Sequence, residues 1–192
     1  MRSHKQGSRA QGRQGERTGR AATEQLLYLM DEAFEGADEE DLLGNLRAVT
    51  QAEWSAVPPG CVRSIRQIIG HIGACKYMYD DHAFGDGSMT WEDPAGDLGV
   101  SMEDLQSRTL AREPPMREIT QWLRNGHCRL RGHLAELDDT ELGVPRRPPE
   151  GEPRETRWII ANMIRHDAYH AGEINHLRAL MQGNDGWAWE PG

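Results

Sequence analysis

His166 and His170, four residues apart, are the residues of this chain whose spacing most directly suggests chemistry. At about 100° per residue on a helix, they project within about 40° of each other. Ile159, Met163, Leu177 and Met181 share their stripe, so the pair faces an apolar interior rather than water. Two imidazoles so placed can share a metal ion, each giving one nitrogen at about 2.0–2.1 Å for zinc. A third ligand is available upstream, because His71 lies on one helical face with Ile68, Cys75 and Met78. Three neutral nitrogens leave a coordination position open, which suits Lewis-acid work or activation of a bound water or thiol. His127, in the middle of another apolar stripe, is an alternative to His71 or a pocket-lining residue. Cys75 offers a soft donor, although a buried free cysteine ordinarily fills core. The competing reading is that each histidine is a core or surface residue satisfied by its neighbours.

Rival motifs fail on detail. His166-Asp167-Ala168-Tyr169-His170 is close to the H-E-x-x-H of zinc proteases, but Asp167 is one methylene short of the glutamate base. Gly172 also comes one residue early for the turn of the three-histidine subgroup, and His176 continues the helix about 120° from His170. A di-iron carboxylate bundle needs two Glu-x-x-His elements, and Glu173-Ile174-Asn175-His176 is one. There is no P-loop, no G-x-S-x-G and no dinucleotide fingerprint.

Helices must carry these residues. Thr23 reads as an N-cap ahead of Leu26, Leu27, Met30 and Phe34, and apolar spacing resumes at Leu42–Val49, giving one long kinked helix or two. Ser64 opens a second helix that ends near Phe84-Gly85. Residues 85–113, rich in Gly, Asp and Pro, form a long connection with a short helix after Ser101; such loops are usually functional or mobile. Pro114-Pro115 starts a third helix whose stripe runs from Met116 through His127 to Leu137. The fourth spans about Arg154 to Gln182, with Gly183 as its stop. No strand is expected. The pattern is an all-α four-helix bundle with long crossover connections.

Composition narrows the function further. The 192 residues carry a net charge of −9. Residues 1–20 hold six cations and one acid, a net of +5, which leaves −14 on the remainder. We expect 1–20 to be a disordered basic tail and 21–192 a single domain. The acidic body argues against nucleic-acid binding, which rests on Lys and Arg neutralising phosphates. No apolar run approaches the roughly 18 residues of a membrane span, and no secretory leader is visible. Three widely spaced cysteines without a C-x-x-C fit reduced thiols, so a cytoplasmic location is expected.

The segments RHDAYHAGEINHLRAL and SIRQIIGHIGACKYMYDDHAFGD, preceded by TQAEWSAVPPG, resemble the DinB-like (DinB/YfiT-like) metal-binding four-helix-bundle superfamily over about residues 22–182. The most specific element is the C-terminal H-x-x-x-H followed by A-G-x-I, coupled to a histidine of the second helix. The resemblance places the metal ligands at His71, His166 and His170 and implies a divalent ion, zinc or nickel, and a homodimer. Characterised relatives are S-transferases or isomerases using small thiols such as mycothiol, bacillithiol or glutathione. The expected activity is therefore transfer of a low-molecular-weight thiol to a small electrophile held beneath the 85–113 connection. Arg165, Trp158 and Tyr169 are expected to orient an anionic or aromatic substrate, and Glu173, about 60° from His170, to fix an imidazole tautomer. Asp167 is expected to be a solvated or structural carboxylate. The alternative is a metal-binding stress or interaction protein without turnover.

Overall fold

Short polar side chains set most of the helix boundaries. In a computed structural model, which describes residues 19–36, 40–47, 49–109 and 113–186, the helices are α1 (Ala21–Glu35), α2 (Gln51–Ser55), α3 (Ile65–Phe84), α4 (Met102–Gln106), α5 (Met116–Glu136) and α6 (Thr156–Gln182). Ser64 caps α3 reciprocally. Its hydroxyl accepts from Gln67 N (3.3 Å), and Gln67 Oε1 accepts from Ser64 N (2.9 Å). Ser101 caps α4, and Gly183, at φ 74°, ends α6 in the left-handed region that glycine adopts without strain.

Three local expectations need correction. Thr23 is not a cap: α1 starts two residues earlier, and Asp139 from the far end of α5 takes the capping role, accepting from Thr23 N (2.9 Å) and Thr23 Oγ1 (3.1 Å). Gly19 and Arg20 are also tied to that end, through Asp139 N to Gly19 O and Arg20 Nη2 to Ala135 O. The rest of the expected basic tail, residues 1–18, lies outside the described residues. Secondly, the apolar run at 42–49 does not continue α1; residues 44–46 form a 3-10 turn beside the buried Asp41, whose carboxylate accepts from Gly44 N. Thirdly, a two-residue antiparallel ladder, β1 (Pro145–Arg146) with β2 (Arg154–Glu155), closes the proline-rich loop before α6.

The four long helices form a bundle in which α1 and α3 each pack on both α5 and α6. Among the described residues, no helix is long and apolar enough to cross a membrane. Where α3 meets α5 the approach is close. A Cβ on Gly73 would sit 2.1 Å from the Trp122 ring, and one on Gly126 would sit 2.9 Å from Tyr77. The interior divides into two apolar clusters. One gathers Trp54, Ile65, Ile68, Ile69, Ile72, Trp122 and Leu177; the other gathers Met30, Leu130, Leu134, Ile160 and Met163. A polar belt crosses the bundle between them, built from His71, Lys76, His127, Asp167 and His170.

The 85–113 connection is fastened at several of its described residues. Trp122 Nε1 donates to Pro94 O (2.8 Å), and Ala95 and Leu105 are fully buried. The buried Arg66 guanidinium holds Leu105 O (2.7 Å) and Ser107 O (2.5 Å). Gln106 Nε2 donates to Gln67 O, and Gln67 Nε2 returns a bond to Gln106 O. These contacts lay α4 against the first turn of α3, beside the polar belt.

Candidate metal centre

α3 and α6 pack side by side and bring together the three histidines that the spacing singled out. His166 Nε2 lies 3.2 Å from His71 Nε2 and 3.2 Å from His170 Nε2. Two ligands of a tetrahedral zinc with bonds of 2.0–2.1 Å are about 3.3 Å apart, so both spacings suit a shared ion. The protonation pattern points the same way. Glu173 Oε2 lies 2.7 Å from His170 Nδ1 and, as a carboxylate, accepts that ring's proton, which leaves a lone pair on Nε2. The single hydrogen that a neutral His166 can carry on Nε2 cannot satisfy both of its neighbours. One contact remains lone pair to lone pair unless a cation sits between them.

A proton is a poor candidate for that cation. Burial, reinforced by the neighbouring rings and Arg63, holds His71 down to about 4 and His166 down to about 3; burial also lowers His170 against the pull of Glu173. All three rings are therefore neutral donors near neutral pH. His166 Nδ1, buried, has no hydrogen-bond partner. The chemistry of the donor set fits a divalent metal.

Cys75 joins the group in a way the sequence reading discounted. Its Sγ lies 3.8 Å from His71 Nε2, and donor atoms of His71, Cys75 and His166 all fall within 4.8 Å of one another. Burial pushes the Cys75 thiol up to about 12, so without a metal it stays protonated.

Glu173 touches the centre through His170 and is itself held by Arg63, whose Nη2 donates to both carboxylate oxygens (2.9 and 3.1 Å). Arg63 escaped notice in the sequence because it precedes α3 and meets Glu173 only through the fold. Tyr169 is two-thirds exposed and sets its ring edge-on to His170 at 5.0 Å. Arg165 is exposed and donates to Asn162 Oδ1 (2.6 Å), while Trp158 carries Arg154 over its face. His127 stacks on Phe34 at 3.7 Å between centroids, and burial drives it down to about 2. Arg165, Trp158, Tyr169 and His127 line neither of the cavities at the centre.

Those cavities both reach His71 and both have Trp91, from the 85–113 connection, in their walls. One, of about 230 Å³, is bounded by Cys75, Tyr79, Glu150 and His166; the other, of about 360 Å³, by Glu92, Met102, Glu103 and Gln106.

On the side of α3 and α6 away from the cavities, Lys76 Nζ and Asp167 Oδ2 form a fully buried ion pair at 2.6 Å. Asp167 is thus structural and not solvated. Burial pushes its carboxyl up, while Lys76 opposes the shift. One sequence signal did exist: among 22 Lys and Arg residues, Lys76 and Lys5 are the only lysines, and Lys76 interrupts an apolar helix face.

No curated protein matches this chain. The family model of the DinB superfamily matches residues 33–174, a span that contains His71, Cys75, His166, His170 and both cavities. The all-α bundle agrees with that match, and the chain belongs to the DinB superfamily.

Proposed function

We propose that this protein is a divalent-metal-dependent enzyme that transfers a low-molecular-weight thiol, of the mycothiol or bacillithiol kind, to a small electrophile. The observation that carries the reading is His166 Nε2 held 3.2 Å from both His71 Nε2 and His170 Nε2 at the wall of a cavity. His71, His166 and His170 would hold zinc or nickel, with Glu173 fixing the His170 tautomer and Arg63 fixing Glu173. A bound divalent ion supplies Lewis acidity that stabilises a thiolate near neutral pH. In the overall reaction RS–H and E–X give RS–E and HX; the S–H and E–X bonds break, the S–E bond forms, and the proton leaves with X. Trp91 and the α4 residues Met102, Glu103 and Gln106 line the space beside His71. A cytoplasmic homodimer belongs to the same reading; the three unpaired cysteines suit a reducing compartment.

A second reading is favoured by Cys75. If its sulfur completes a four-ligand set with the histidines, the ion is a structural staple and the protein a metal-binding stress or interaction protein without turnover. Elemental analysis of untagged protein beside a His166→Ala/His170→Ala variant tests the site. We expect about one metal per chain in the parent and none in the variant. Metal retained by the variant, or none in either after zinc and nickel are offered, would overturn both readings. Thiol consumption with monochlorobimane by the loaded parent separates the two: turnover selects the transferase, and its absence selects the staple.

A further inference from the structure

The walls of the two cavities carry charge of one sign. Glu150 borders the first and Glu92 and Glu103 the second; all three are exposed, and none is in an ion pair among the described residues. Among the described residues no arginine or lysine lines either cavity, although the chain holds 22 of them. Arg63 is charge-paired with Glu173, and Arg165, which donates to the neutral Asn162, lines neither cavity.

The second, independent feature is aromatic. Trp91 lines both cavities and Tyr79 lines one. An indole or phenol face attracts a cation through its quadrupole, and carboxylates beside it add attraction of the same sign. Apart from a metal ion that takes the sulfur of every thiol alike, an anionic group meets repulsion from the acids and no cationic side chain in either wall.

Resting on the thiol-transfer reading, we infer that the site accepts a cationic or uncharged thiol and rejects a carboxylate-bearing one. Glu92, Glu103 and Glu150 are the residues that set this selectivity. Arg165, expected to help orient an anionic or aromatic substrate, lines neither cavity. The same charges disfavour glutathione and the malate-bearing bacillithiol, so within the proposed thiol class the inference selects a carboxylate-free thiol of the mycothiol kind.

Three thiols of similar size test the inference: cysteamine (cationic), 2-mercaptoethanol (neutral) and 3-mercaptopropionate (anionic). Their dissociation constants are read from the sulfur-to-metal absorption band of the cobalt(II)-loaded full chain, in the parent and in Glu92→Gln/Glu103→Gln/Glu150→Gln. The intrinsic thiol basicities differ, so the informative quantity is the change in the cysteamine to 3-mercaptopropionate affinity ratio between the two proteins. One carboxylate about 7 Å away through water biases a unit charge roughly threefold. With screening at physiological salt, we expect the three substitutions to narrow the ratio by about tenfold. They lie on exposed side chains and leave the bundle intact. An unchanged ratio, with the thiols still binding, would overturn this inference alone. A cobalt-loaded protein that bound none of the three would overturn the thiol-transfer reading and the inference together.

Discussion

Glu173 meets His170 at i+3 and meets Arg63 across the fold, so one carboxylate connects a candidate ligand to the segment that leads into α3. Its charge raises the basicity of the imidazole and keeps the proton on Nδ1. We predict that Glu173→Gln, a near-isosteric change at a partly exposed position, lowers zinc affinity about 10- to 100-fold with little loss of stability, as measured by chelator competition. At this scale the histidines were legible because i, i+4 spacing on one helix is a local property. The role of Cys75 was not, since a cysteine at i+4 from His71 is core or donor according to what α6 places opposite it.

Between elements, Lys76 and Asp167 lock α3 to α6 beside the ligands. The pair is enclosed, and its Asp167 Oδ1 has no hydrogen-bond partner, so its net contribution to stability is small while breaking it is costly. We predict that Asp167→Asn destabilises the fold by about 3–5 kcal/mol in denaturant unfolding, because it leaves the Lys76 ammonium unpaired in apolar surroundings. Joint Lys76→Met/Asp167→Leu recovers most of that loss. The same two helices were predictable as helices: Ser64 and Gly183 mark their ends, and the apolar periods run between. Thr23 misled because a better acceptor, Asp139, lies 116 residues away in sequence and next to α1 in space. Capping by a remote carboxylate leaves no local trace.

For the molecule as a whole, buried neutral histidines make stability depend on pH. His127, pushed down to about 2, has a folded pKa below the roughly 6.5 of an unfolded histidine. Between those values the unfolded chain binds the extra proton, so stability is complete above about pH 6.5 and falls as the pH drops. We predict that His127→Phe, which keeps a ring against Phe34, flattens the acid limb by up to about 1.4 kcal/mol per pH unit, measured as unfolding free energy between pH 6.5 and 4. The helix-to-helix layout agrees with the bundle expected from apolar periodicity. The cavities do not follow from it, because Trp91, Glu92 and Glu103 sit on a connection whose path is set by docking of Ala95, Leu105 and the Arg66 guanidinium, and Glu150 on the loop closed by the β1–β2 pair.

Taken alone, the amino-acid order determined the helices, the apolar faces and the presence of His71, His166 and His170 on those faces. All of these follow from interactions within a few residues, where 3.6-residue periodicity and short polar caps dominate. Only the tertiary structure decided that the three rings converge, that Cys75 joins them, that Asp167 is buried against Lys76, and that carboxylates and an indole wall the space in front. Those outcomes depend on the axial register of α3 against α6 and on the path of one long connection. Register comes from side-chain packing between residues about 90 positions apart, which no local pattern encodes.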